Sequence, residues 1–242
     1  MEESPAPGGS PVTPRERRVA SGGEGEKQLE LEVHLLAVTP QAEKVIEEAG
    51  RTCYLSFHRQ GPESDRRFIR MLIERGHESV LEHATASFRI RGGSRSFTHQ
   101  LVRHRLASYS QQSQRYVDEQ NFQWVEPPGI GDHPEARAVF SDFMNQARET
   151  YRRLQAMGIL NEDARYVLPN AVCSEIVVSA NFREWRHILR LRGSRKAQWE
   201  IRRMAAEILR ILKREAPSVF YDLDTGDRQG AAKEFRAPVD GA

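Results

Sequence analysis

At 242 residues the chain is long enough for one domain with a sizeable core. It shows neither a signal-peptide pattern nor an apolar run long enough to span a membrane. A net charge of +2 excludes a global field for non-specific nucleic-acid binding, and two cysteines, Cys53 and Cys173, exclude a disulfide framework. A reducing cytoplasm is the expected compartment, with neither membrane nor nucleic acid as partner.

Residues 1–27 are rich in Pro, Gly, Ser and charge and are expected to be a disordered tail. The domain is placed at 28–223, with a second loose tail over 224–242. Residues 29–38 alternate Leu29, Leu31, Val33 and Leu35 on one face, which predicts a strand. Thr39 and Pro40 read as an N-cap and first-turn proline opening a helix through Gly50. Phe68, Ile69, Leu72 and Ile73 recur at helical spacing over 64–75, with Gly76 as the stop. Ser79 and Glu82 in "SVLE" form an expected capping box, and 84–92 alternates as a strand.

A helix is predicted over 96–107, a short extended piece over 121–126, and a long amphipathic helix from Pro134 to Met157. A short helix over 161–166 stops before Pro169, "SEIVVSA" reads as a strand, and "NFRE" is a second capping box. The last helix covers 196–215 and stops before Pro217. Long helices with a few strands in irregular order predict a single α+β domain, an antiparallel or mixed sheet packed with helices.

The chemistry is concentrated in "SFTHQLVRHRLASYSQQSQRY", residues 96–116. On a helical wheel Phe97, Leu101, Val102 and Leu106 share an apolar arc, with Gln100, Arg103 and His104 opposite and Arg105 inside the arc. A charge held there must be paired or must enter a site. The neutral donors and acceptors of the Ser/Gln run suit a base edge, and Arg115 suits a phosphate.

Arg103-His104-Arg105, seven residues, then Ser113 resembles the RHR-x7-S signature of the flavin-dependent thymidylate synthases. "GHESVLEH" (76–83), "ARYVLPN" (164–170) and "NFREWRHILRLR" (181–192) with "AQWEIR" resemble further blocks of that family, in order. The resemblance spans roughly residues 30 to 220 and leaves out only the tails. It implies reductive methylation of dUMP to dTMP, with methylenetetrahydrofolate as carbon donor, FAD as redox carrier and NADPH as reductant. It also implies a homotetramer with shared active sites.

Residue by residue, the resemblance assigns Ser79, Arg103, His104, Arg105, Gln111, Asn181, Arg183 and His187 to FAD. To dUMP it assigns Gln100, Arg103, Gln111, Gln112, Ser113, Gln114, Arg115, Arg165 and Arg192. Arg115 and Arg165 are the expected phosphate partners, and Gln112 and Gln114 would contribute main-chain contacts. Arg192 and Ser113 form the implied catalytic set, with Arg192 favouring ionisation at the uracil ring. Three positions depart from some members: Gln111 stands where a Glu occurs, Lys196 where a His occurs, and His187 where an Asn occurs.

No metal site is expected, because His77, His83, His99 and His104 lack compact ligand spacing. Ser113 lacks the Gly-x-Ser-x-Gly elbow of a serine hydrolase. A nucleic-acid-binding module is disfavoured because Glu149, Glu200, Glu207 and Glu215 interleave the basic faces. A thymidylate synthase using a thiolate needs a reactive cysteine; Cys173 lies in an apolar run and Cys53 has no evident base.

Overall fold

The computed structural model describes residues 30–225, so both expected tails lie outside the described residues, apart from Asp224 and Thr225. In chain order the elements are β1 (Glu32–Val38), α1 (Ala42–Thr52), α2 (Ser64–Glu74), β2 (Thr85–Ser94), α3 (Arg95–Leu101) and β3 (Ser108–Gln111). There follow α4 (Pro128–Gly131), α5 (Pro134–Ala156), α6 (Asn161–Ala164), β4 (Cys173–Asn181), α7 (Phe182–Arg192) and α8 (Trp199–Glu215). Short 3-10 turns cover Phe57–Arg59, Glu78–His83 and Arg165–Val167.

The strands form one antiparallel sheet in the order β1-β2-β4-β3. The α+β expectation therefore holds, with a wholly antiparallel sheet. Alternation decides which face is covered. Ala86, Phe88 and Ile90 of β2 and Ile176, Val178 and Ala180 of β4 point into the helical layer. There Trp185 of α7 meets Phe88 edge-on at 5.1 Å and donates its indole N–H to the Ala86 carbonyl at 3.0 Å. The opposite face carries Ser87, Arg89, Glu175 and Ser179, joined by an Arg89–Glu175 ion pair and a 2.7 Å hydroxyl contact between Ser87 and Ser179. One apolar and one polar face is the arrangement an antiparallel sheet permits.

Several boundaries differ from the sequence reading for local reasons. Helix α1 begins at Ala42 rather than after Thr39, whose hydroxyl instead accepts from the Thr85 amide at 2.9 Å and ties β1 to β2. A register shift between Leu35 and Ala37 turns Leu36 outward, and Leu29 lies outside the described residues. Gly76 ends α2 as expected, in the left-handed region at φ 72°, where a side chain would be strained.

The segment 96–107 needs a larger correction. The helix stops at Leu101, the chain turns, and a strand that the pattern did not reveal begins at Ser108. The wheel thus fails beyond Leu101: Leu106 is 79% exposed and Arg105 is exposed rather than held in an apolar arc.

Candidate functional site

Helix α3 is aimed by its start. Ser94 accepts from the Phe97 amide at 3.0 Å, capping the helix, and the Glu200 carboxylate takes the Ser94 amide and hydroxyl at 2.6 and 2.7 Å. Gly93 leaves room for the Phe97 ring, which a Cβ there would meet at 2.5 Å. The helix is stopped from the neighbouring strand: the Tyr109 hydroxyl lies 2.8 Å from the Leu101 carbonyl and 3.0 Å from that of His104. Tyr109 thereby clamps the turn that carries Arg103, His104 and Arg105.

Within that turn the three residues part company. His104 is buried, whereas Arg103 and Arg105 are exposed and make no ion pair among the described residues. Arg192, at the end of α7, donates from Nε to His104 Nε2 at 2.9 Å and from Nη2 to the Gln100 carbonyl at 3.1 Å. An imidazole accepting at Nε2 is neutral and carries its proton on Nδ1, which faces Glu184 Oε1 at 3.6 Å. Burial, with Arg192 and His187 adding repulsion, pushes His104 down to about 4. The His187 ring stands 5.6 Å from that of His104.

The Ser/Gln run lines an adjoining stretch. Gln111 Nε2 reaches Thr98 Oγ1 at 3.0 Å and Ser174 Oγ at 3.1 Å, bridging α3 and β4. Gln112 donates its amide N–H to the Glu175 carbonyl at 2.8 Å and its side chain to the buried Glu119 at 2.9 Å. Burial, eased by Gln112 and aggravated by Asp118, raises Glu119 to about 7. Ser113 Oγ accepts from the Arg115 amide at 3.3 Å, and Gln114 is half-buried.

Arg115 pairs with Glu162 at 3.1 Å, and Arg165 donates from Nε to the Glu162 carbonyl at 3.0 Å. Arg165 keeps both terminal nitrogens unpaired among the described residues. Repulsion from Arg165, after burial, lowers Arg95, which brings a third guanidinium to the same corner. Such a corner suits a phosphate.

Asn181 and Arg183 sit at the start of α7 beside Glu184 and His187 and, with Ser79, do not join the Gln111 and Arg165 end. Gln111 pairs with Ile176, so Asn181 lies five residues farther along β4, roughly 17 Å away. The Asn181 side chain caps α7, accepting from the Glu184 amide at 2.8 Å, and Arg183 pairs with Glu82 at 2.6 Å. Half of the "NFRE" box is thus present; Glu184 turns inward to His104 instead. The "SVLE" box is absent: Glu78–His83 is a 3-10 turn whose start has no side-chain cap, and Ser79 is exposed.

Sequence reasoning missed Tyr109, Glu119, Glu162, Glu184 and Arg95. The alternation in "SYSQ" was the available signal for a strand that would bring Tyr109 back onto the turn. The buried Glu119 and the inward turn of Glu184 have no equivalent signal. Among the described residues no group of three potential metal ligands converges, and no helix is long and apolar enough to cross a membrane. Cys173 is half-buried, and burial pushes its thiol up to about 12.

A family model described as "Thymidylate synthase complementing protein" matches residues 34–218. A flavin-dependent thymidylate synthase of Mycolicibacterium gilvum is 45% identical over 201 residues, covering 74% of this chain and 79% of its own. The Geobacter sulfurreducens protein of that name is 42% identical over 212 residues, covering 84% and 91%. The Mycobacterium tuberculosis protein of that name is 44% identical over 197 residues, covering 74% and 79%. The chain belongs to the flavin-dependent thymidylate synthases, a family of methyltransferase enzymes.

Proposed function

We propose that the chain reductively methylates dUMP, taking the one-carbon unit from methylenetetrahydrofolate and reducing equivalents from NADPH, and yields dTMP, tetrahydrofolate and NADP⁺. The observation that carries this reading is Arg192, a cation locked by His104 and the Gln100 carbonyl beside the Ser/Gln run. A fixed positive charge there stabilises negative charge developing on the uracil ring without reorganising. Arg165, Arg95 and Arg115 hold the phosphate, with the Glu162 contact to Arg115 exchanged for the ligand. Gln111 and Gln112 are tied back to Thr98, Ser174 and Glu119, so they present a fixed surface to the base, and Ser113 closes it.

FAD supplies the relay of reducing equivalents when bound. The donor set fits it: the exposed Arg103 and Arg105 suit its pyrophosphate, and the exposed His187 ring, backed edge-on by the buried His104, suits a flat ligand. Ser79, Asn181 and Arg183 lie away from the nucleotide corner within one chain. Their separation supports a homotetramer in which neighbouring chains complete each site. The substrates fit a cytoplasmic enzyme. Burial pushes the Cys173 thiol up to about 12, which disfavours Cys173 as the nucleophile of a thiolate route. The test is a visible absorption spectrum of purified protein with and without dUMP. Flavin absorption that changes with dUMP is expected, and a colourless protein that releases no FAD on denaturation overturns the reading.

A further inference from the structure

Arg186 of α7 is fully buried, yet no role in the reaction falls to it. A buried guanidinium must have its donors met. It grips Asp222 through two bonds of 2.7 and 2.8 Å, donates to the Val219 carbonyl, and reaches Glu78 Oε1 at 3.4 Å. Arg190, one helical turn on, donates to the same Glu78 oxygen at 2.9 Å and lies 3.7 Å from Asp222. Two arginines of α7 thus close on two carboxylates, one from the C-terminal turn and one from the residue before Ser79.

Leu81 and Val80 anchor the middle of the 3-10 turn Glu78–His83 in the core, and the His77 amide donates to the Leu72 carbonyl at 2.8 Å just before it, so Glu78 is the side chain that ties its start to α7. Its first residue is preceded by Gly76 and His77, and no side chain caps it. At its far end Glu82 pairs with Arg183, but both side chains are about half exposed, where an ion pair stabilises little. Glu78 is more enclosed, at 18% exposure, and shared by two guanidiniums.

The geometry points to Glu78 as a positioning residue for flavin: held by Arg186 and Arg190, it fixes Ser79 relative to Arg183 and His187 on α7. This rests on the proposed assignment of Ser79, Arg183 and His187 to FAD. Glu78 itself need not touch the cofactor. It sets the distance between two cofactor-binding segments, and misplacement of such groups weakens binding without removing any contact group.

The test uses the full chain stripped of flavin, with Glu78→Ala, Glu78→Gln and Ser79→Ala compared by FAD titration, dUMP titration and melting temperature. Glu78→Ala is expected to raise the FAD Kd about five- to tenfold, and Glu78→Gln about two- to threefold because it keeps an acceptor for Arg190. The dUMP Kd should stay within about twofold, since the Arg165 corner is remote. Unchanged FAD affinity in both Glu78 variants, with loss in Ser79→Ala, overturns this inference alone. Equal losses for FAD and dUMP that follow the melting temperature also overturn it, showing a general structural role. If Glu78→Ala does not fold, Glu78→Gln decides on the same criteria. Failure of the unaltered protein to bind FAD overturns the assignment on which the inference rests.

Discussion

Arg192 places two of its donors on neighbours that are themselves fixed, which is how a flexible side chain becomes a directed charge. Arg192→Ala should lower turnover by about 100-fold or more while the flavin is retained, because a preorganised charge is lost rather than a cofactor contact. Steady-state rates with flavin content measured in parallel check this. Arg165→Ala should cost about 1.5–3 kcal/mol of dUMP affinity and leave uridine, which lacks the phosphate, nearly unaffected. Equal losses for both ligands would mean that Arg165 serves the fold.

Glu119 gives a pH signature at the same scale. Burial pushes its carboxyl up to about 7, above the ordinary 4.5, so the folded state binds its proton more tightly than the unfolded chain. Stability from this group therefore falls as pH rises between those values, by an amount on the order of 3 kcal/mol in total. Glu119→Gln keeps an acceptor for Gln112 and removes the titration. Its melting temperature relative to the unaltered protein should rise from pH 5 to pH 8; a flat difference would show that Glu119 titrates normally.

At the scale of elements, the two expected capping boxes had the same sequence form and different fates. Asn181 follows a strand whose direction presents its side chain to the next amides, and the cap forms. Ser79 is the second residue inside the 3-10 turn, whose cap position falls on His77, so Ser79 does not stand where a capping side chain acts. In flavin-free protein Asn181→Ala should lose about 1 kcal/mol of stability, whereas Ser79→Ala should lose almost none. Chemical denaturation of the two variants separates them. The long periodic elements α2, α5, α7, β2 and β4 were legible because their apolar spacing is set by one buried face. Strand β3 was not, because it is short and polar, and its pairing with β4 is decided by contacts remote in sequence. The proposed site residues were nominated as a set by the family resemblance rather than by any local pattern. The grouping into a His104 cluster, an arginine corner around Glu162 and the α7 start with Arg183 depends on tertiary placement that no local pattern encodes.

At the scale of the molecule, a one-sided antiparallel sheet holds the ends of α3 and α7 together, so that the RHR turn meets Arg192 beside the Ser/Gln run. Neither cysteine joins that meeting point: Cys53 is exposed on the edge of α1, and the Cys173 thiol faces the Gly92 carbonyl at 3.9 Å. Cys53→Ser with Cys173→Ser should therefore preserve dTMP synthesis, apart from a modest folding cost at the half-buried site. The most direct test of a flavin route is the identity of the folate product, resolved by chromatography after turnover of dUMP and methylenetetrahydrofolate by the purified, flavin-loaded protein with NADPH. Tetrahydrofolate formed in step with dTMP is the predicted result if, as proposed, the reducing equivalents come from NADPH; dihydrofolate as the dominant product would contradict it.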